Sequence, residues 1–296
     1  LSNPFHSGFV SIIGKPNVGK STLYNALMRA KLSITNPKAQ TTRHRILGID
    51  TGENHQIVYS DTPGILKQVS YKLHDRMMSF VKQAFEDSDV LVLIVDANRP
   101  EDPDEFKQAF LKSKAKKIVC INKMDLVDET KLLEIMEHYK TEFPSDVYLS
   151  ISATENFQID ILRENIIKFL PEGPAYYPAD QITDKSERFF VNETIRNHAL
   201  RLYQDEVPYS IEVVTNSFKE EPKIIRIYSE IITERDSQKV IILGKGGMKI
   251  KRLGTDSRKD LEKLFDKKVY LNLFVKSRKE WRNNDKMLNQ MGYDTD

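Results

Sequence analysis

A single cysteine, Cys120, stands in 296 residues. No disulfide framework can form, which fits a reducing compartment, and the apolar run around Cys120 places it in a core. The six histidines are scattered, and none has metal-ligand spacing. No run of about eighteen apolar residues occurs, which excludes a transmembrane helix. No signal-peptide pattern opens the chain, so a cytoplasmic protein is expected. Internal repeats and low-complexity tracts are absent, leaving ordinary globular domains. Net charge is only +2, but it hides an asymmetry. From position 186 onward there are 22 basic and 18 acidic residues, against 23 and 25 in the remainder. The length suits two domains, the second slightly basic.

What is present begins with Gly14-Lys15-Pro16-Asn17-Val18-Gly19-Lys20-Ser21, a match to G-x-x-x-x-G-K-[ST]. The apolar run Phe9–Ile13 before it reads as a buried strand, and Thr22–Met28 after it as a helix start. That context makes the pattern a phosphate-binding loop. Its glycines let several backbone N–H groups face one phosphate chain, and the helix N-terminus adds a positive dipole end. Lys20 can reach β- and γ-phosphates, and Ser21 can ligate Mg²⁺.

The base is read elsewhere. Asn122-Lys123-Met124-Asp125 follows the apolar run Lys117–Ile121, and ligands sit at such strand ends. A carboxylate at Asp125 accepts from both guanine N1–H and the N2 amine. Adenine offers neither, a mismatch that discriminates by on the order of 10⁴-fold. Asn122 ties neighbouring loops together, and the Lys123 stem can lie across the base. Asp61-Thr62-Pro63-Gly64 ends another strand. There Asp61 can hold the Mg²⁺ water shell and the Gly64 amide can touch the γ-phosphate. Ser150–Ala153 follows a further strand, and backbone N–H groups at Ser152 and Ala153 could cap guanine O6.

Strand-like runs at 9–13, 56–60, 90–95, 117–121 and 146–151 alternate with helix-like segments such as His74-Met77-Met78-Val81-Ala84-Phe85. This predicts an α/β domain, a mostly parallel sheet with helices on both faces. The proline-bearing stretch after Leu170 marks the boundary. The expected division is a nucleotide domain over 1–171, a linker over 172–187 and a second domain over 188–296. In the second, a helix is expected over 188–203, strands near 209–217 and 223–234, a helix over 248–266, a strand over 269–275 and a helix over 279–291.

Val240–Leu243 leads into Gly244-Lys245-Gly246-Gly247, followed by a basic helix with Ile250, Leu253, Leu261, Leu264 and Phe265 at helical spacing. A Gly-x-x-Gly turn between two elements is the backbone clamp of a KH domain, which grips about four nucleotides. Lys245, Lys249, Lys251 and Arg252 lie where phosphates would pass. Residues 235–282 hold 15 Lys or Arg against 6 Asp or Glu, the footprint expected of phosphate contacts.

Taken together, residues 8–170 resemble a small P-loop GTPase of the translation-factor-like class. The Gly14–Asn17 loop and Lys38-Ala39-Gln40-Thr41-Thr42-Arg43-His44-Arg45 make the chain similar to the Era family. Ile182–Phe189, Glu206–Ser210, Leu273–Lys276, Trp281 and Met291-Gly292-Tyr293 extend that likeness over nearly the whole length. The resemblance implies a P-loop GTPase domain followed by an α+β type II KH domain. It implies GTP hydrolysis with GTP/GDP and Mg²⁺, binding to the 3′ end of 16S rRNA, and assistance to 30S subunit assembly, by a monomer. Ser21, Thr42 and Asp61 become the metal ligands, with Thr41 an alternative to Thr42. Lys20, Thr42, Gly64 and Asn17 become the hydrolytic set, Asn17 through a K⁺ ion or simply as a turn residue. Many GTPases carry a water-orienting Gln after Asp-Thr-Pro-Gly, where this chain has Ile65, so intrinsic hydrolysis is expected to be slow or helped from elsewhere. The chain departs from its relatives at Asn156, often Gly, where a left-handed backbone is expected to persist. The alternative is a regulatory GTPase at the inner face of the cell membrane, coupling growth or division to GTP state.

Overall fold

The structure is a computed structural model and describes residues 4–38, 40–66, 68–101 and 104–294. Ala39 of the Lys38–Arg45 segment lies outside the described residues. The chain divides into two compact units, residues up to 69 with 74–184, and residues 70–73 with 185–294.

The first unit is a six-stranded sheet in the order β2-β3-β1-β4-β5-β6. The strands are β1 (His6–Ile13), β2 (Ile46–Thr51), β3 (His55–Asp61), β4 (Val90–Asp96), β5 (Lys116–Asn122) and β6 (Val147–Ser150). Five are parallel, and only β2 runs antiparallel, against β3. β4 is buried along its whole length. A strand covered by helices on both faces must be apolar at every position, which is why Val90–Val95 shows no alternation. The helices are α1 (Lys20–Met28), α2 (Lys72–Glu86), α3 (Asp104–Lys112), α4 (Glu129–Glu142) and α5 (Ile159–Phe169). α2 buries His74, Met77, Val81 and Ala84, the face its spacing predicts. β2 has no counterpart among the strands expected from sequence. The C-terminal ends of β1, β3, β4, β5 and β6 lie on one edge of the sheet, and they carry Gly14, Asp61, Asp96, Asn122 and Ser150.

The segment after Leu170 packs on this unit. Gln56, fully buried, accepts at Oε1 from the amides of Tyr176 and Tyr177 (2.7 and 3.0 Å) and donates to Tyr177 O (2.8 Å). Ile49 N donates to Ile182 O at 3.0 Å, Leu47 N to Asp184 Oδ1 at 2.9 Å, and Thr183 Oγ1 to Leu47 O at 2.7 Å.

The second unit holds α6 (Glu187–Leu202), β7 (Glu212–Glu220), β8 (Ile224–Thr233), α7 (Asp236–Leu243), α8 (Met248–Leu264), β9 (Lys268–Ser277) and α9 (Asp285–Gln290). Its sheet has the order β7-β8-β9, antiparallel then parallel. The parallel pair β8 and β9 is joined by the α7–α8 crossover. β7 starts later than expected because Pro208 sits in a 3-10 turn, Val207–Tyr209. The helix expected over 279–291 is two pieces, a 3-10 turn at Trp281–Asn283 and α9. Glu280 has a φ of 52°, and Asn284 caps α9 by accepting from Met287 N at 3.1 Å, so no single helix forms. Leu253 and Leu261 are buried as expected, whereas Leu264 is exposed. A fully buried ion pair stiffens the unit. Arg196 donates to Glu193 at 2.7 and 2.5 Å, and both groups are buried. Removing either partner would leave a buried charge and cost about 3–5 kcal/mol. Nearby, Trp281 Nε1 donates to Ser210 O at 3.0 Å and Tyr293 OH to Glu212 Oε2 at 2.6 Å.

Candidate functional site

The Gly14–Ser21 loop turns between β1 and α1 on left-handed backbone, with φ of 64° at Asn17 and 107° at Gly19. A Cβ on Gly19 would stand 2.3 Å from Asn122 Nδ2, and one on Gly64 would stand 2.9 Å from Pro16 Cγ. Both positions require glycine for close approach. Lys20 is buried, and its ammonium donates to Gly14 O (3.1 Å) and Lys15 O (2.8 Å). Burial lowers its pKa to about 8, against the opposing pull of the Asp61 carboxylate. Lys15 pairs with Glu101 at 3.2 Å.

Asp61 is the centre of the polar cluster. Its Oδ2 accepts from Ser33 Oγ at 2.7 Å, Ser21 Oγ at 2.8 Å and Thr42 Oγ1 at 3.4 Å, and Ser21 and Thr42 lie 2.9 Å apart. Its Oδ1 is buried with no partner among the described residues. Burial raises its pKa, opposed by the Ser33 and Ser21 hydroxyls, the Lys20 charge and Thr42. A buried carboxylate with one orphaned oxygen, beside two hydroxyls, is a hard-oxygen set that fits a small divalent cation. Thr41 is turned elsewhere, donating to Lys38 O at 2.5 Å. Ser33 was not expected here; it lies in a polar segment without periodicity, and Asn25 Nδ2 fixes its carbonyl at 2.8 Å.

Asn122 is buried and joins three loops. It donates to Val18 O at 2.8 Å and accepts from Ala153 N at 3.0 Å. Lys123, with φ of 63°, donates to Asn17 O (3.0 Å) and pairs with Asp96 Oδ2 (2.6 Å). Asp96 is a second residue beyond those expected; its signal is its place at the end of an apolar strand run. A cleft of about 910 Å³ opens over the loop, lined by Lys15–Thr22, Thr42, Gly64 and Lys123. Asp125, Ser152 and Ala153 are not among its lining residues. Asp125 is exposed in the turn that follows Lys123, and Ser152 is buried.

In the second unit the turn joins two helices, α7 and α8. Gly244, Gly246 and Gly247 have φ of 68°, 58° and 75°. No atom lies within 4 Å of a Cβ placed on Gly246 or Gly247, so backbone conformation, not crowding, selects glycine there. Lys245, Lys249, Lys251 and Arg252 are all exposed. Val240 and Met248, 68% and 64% exposed, flank the turn. They offer an apolar wall that the charge pattern did not reveal.

Residues 9–123 match a family described as a 50S ribosome-binding GTPase, and residues 206–282 match the KH domain family. GTPase Era of Syntrophus aciditrophicus is 42% identical over 293 residues, covering 98% of this chain and 95% of that protein. GTPase Era of Geobacter metallireducens is 43% identical over 295 residues, covering 98% and 99%.

The chain belongs to the Era family of GTPases.

Two solved Era structures match it with a TM-score of 0.92, each covering 98% of this chain and 99% of the other. One is a variant of Aquifex aeolicus Era bound to GDP.AlF4-, 37% identical. The other is an Era in complex with MgGDPNP and nucleotides 1506–1542 of 16S ribosomal RNA, 38% identical. The fold is thus a P-loop GTPase sheet followed by a KH domain. Ile65 is 8% exposed and packs in the core while lining the cleft. An aliphatic chain there cannot orient water. Asn156 has a φ of 55°, the left-handed backbone expected of it. The amides of Ser152 and Ala153 donate to Phe157 O (3.3 Å) and Asn122 Oδ1 (3.0 Å). An amide cap for the base requires Ala153 N to exchange partners. No described helix is long and apolar enough to cross a membrane.

Proposed function

We propose that this chain is a GTP-hydrolysing, RNA-binding switch that binds the 3′ end of 16S rRNA and assists maturation of the 30S subunit. The observation that carries this reading is the pairing, in one chain, of the Asp61–Ser21–Thr42 cluster with an exposed basic Gly-x-x-Gly turn. The nucleotide domain is 1–171, the linker 172–187 and the KH domain 188–296.

Backbone N–H groups within Gly14 to Thr22, Pro16 having none, cradle the phosphates, and Lys20 neutralises the β- and γ-phosphates. Ser21, Thr42 and Asp61 hold Mg²⁺, which when bound neutralises phosphate charge. Gly64 meets the γ-phosphate by its amide. Asp125 accepts from guanine, Lys123 lays its stem along the base, Asn122 fixes the loops, and Ser152 and Ala153 close the base site. With Ile65 unable to orient water, Asn17 supports hydrolysis by helping to hold K⁺. Hydrolysis is slow in Na⁺ and faster in K⁺, and equal rates at fixed Mg²⁺ would remove that role. Gly244, Lys245, Gly246 and Gly247 clamp the RNA backbone, and Lys249, Lys251 and Arg252 meet phosphates.

The protein acts as a cytoplasmic monomer. The test is binding of the 16S 3′ single strand by wild type and by Lys245→Asp/Gly246→Asp, with GTP turnover measured in both. Loss of RNA binding with turnover intact is expected. RNA binding equal to wild type in a folded variant refutes the clamp. The membrane alternative, peripheral association at the inner face of the cell membrane, is separated by binding to anionic vesicles at matched salt.

A further inference from the structure

The sheet of the second unit has two faces, and helices cover one. Val213, Ile225, Ile227, Ile231, Val269 and Val275 point into the core. Residues opposite each other across a ladder share a face, so the register defines the other side. Its rungs read Lys219–Arg226–Tyr270, Ser217–Tyr228–Asn272 and Val214–Glu230–Phe274. Tyr270 is 40% and Phe274 51% exposed. The Tyr228 and Tyr270 rings are 5.8 Å apart, and the Arg226 guanidinium lies 5.8 Å from the Tyr270 ring centre. Asn272, between the two exposed rings, donates from Nδ2 to Tyr270 OH at 3.4 Å, and its amide oxygen can accept.

The charge on this face suits a polyanion. Glu230 is the one acid in these rungs, and Lys276 pairs with it. Arg226 pairs with Glu221 at 3.0 Å, while Lys219 and Lys268 stand exposed. β9 is one of the two edge strands of the sheet, and α7, which leads into the Gly244–Gly247 turn, packs against it. A strand held at the turn can therefore cross the β9 edge onto the outer face.

We propose that this outer sheet face is a second site for single-stranded RNA, with one base stacked on Tyr270, one on Phe274 and the base between them met by Asn272. The two rings are four residues apart on one strand, about 13 Å. Aromatic side chains on an open sheet stack bases without sequence preference, each worth about fivefold to a hundredfold in affinity. The inference rests on the reading of this chain as an RNA binder.

The test uses the full chain and labelled oligouridines of four and twelve nucleotides. About four nucleotides fill the clamp, and twelve reach both sites. Tyr270→Ala/Phe274→Ala should weaken the twelve-mer about tenfold or more and leave the four-mer unchanged, whereas Tyr270→Phe/Phe274→Tyr should bind both as wild type does. Equal twelve-mer binding by the double-alanine variant overturns the sheet site, as does an equal loss on both lengths. Lys245→Asp/Gly246→Asp is scored on the four-mer alone, so failure of the clamp is seen separately. If circular dichroism shows the double-alanine variant misfolded, Phe274→Leu, which keeps apolar bulk and removes the ring, is read by the same criteria.

Discussion

Gly19→Ala tests whether the phosphate loop and the guanine loop are locked by close approach. Two terms add. The backbone at Gly19 has a φ of 107°, which in a non-glycine residue costs about 1–3 kcal/mol. The new Cβ would stand 2.3 Å from Asn122 Nδ2, so that amide must move. It then loses its 2.8 Å bond to Val18 O and the 3.0 Å bond from Ala153 N, about 1 kcal/mol each. The total is about 3–5 kcal/mol. For a unit of this size each kcal/mol lowers Tm by about 2–4 °C, so a fall of about 6–20 °C is expected. The cause is isolated by a cycle with Asn122→Ala. There the clash is already gone, and Gly19→Ala should cost only the backbone term. A coupling of about 2 kcal/mol between the two sites follows. Thermal melts by circular dichroism on the four proteins, with GDP binding beside them, provide the numbers. Additive effects within about 0.5 kcal/mol would show that the contact does not hold the loops.

Three further outcomes are expected. Folding lowers the Lys20 pKa to about 8, so the stability it contributes is full above about 10.5 and is lost as pH falls through about 8. Phosphate should restore its proton, so GDP binding at about pH 8.5 should take up protons and at about pH 7 should not; calorimetry in two buffers of different ionisation enthalpy measures this, and no uptake at the higher pH would contradict it. Thr42→Ala should weaken Mg²⁺-dependent GDP retention about tenfold or more while Thr41→Ala changes it little, and the reverse order would move the ligand to Thr41. Asp125→Asn should exchange guanine for xanthine preference, since an amide donates where xanthine accepts, and GTP binding unchanged in a competition assay would remove Asp125 from base reading.

Much of the parallel sheet was legible because buried strands are apolar at every position. β2 was not, because an edge strand buried unevenly and carrying Gly48 and Asp50 has neither that run nor a clean alternation. The site was legible where a motif fixes residue types, as at Gly14–Ser21 and Asn122–Asp125. Ser33 and Asp96 escaped notice because each meets its partner only through folding, Ser33 to Asp61 and Asp96 to Lys123. The Arg196–Glu193 pair reads in sequence as a solvated helix face, and its burial comes from the packing of α6 in the second unit. Trp281 and Tyr293 carried a family signal but no hint that left-handed backbone at Glu280 and the 3-10 turn after it break the terminal helix.

The packing of residues 172–184 has a consequence for how the first unit can be handled. β2 ends the sheet, and an uncovered edge strand is a template for pairing with other chains. Ile182, Thr183 and Asp184 occupy the backbone groups of Leu47 and Ile49 that such pairing would use. A fragment ending at 171 would uncover that edge and would also strip Tyr176 and Tyr177 from buried Gln56. The stretch 172–184 therefore covers the β2 edge, and a fragment meant to keep that edge covered should run to 184.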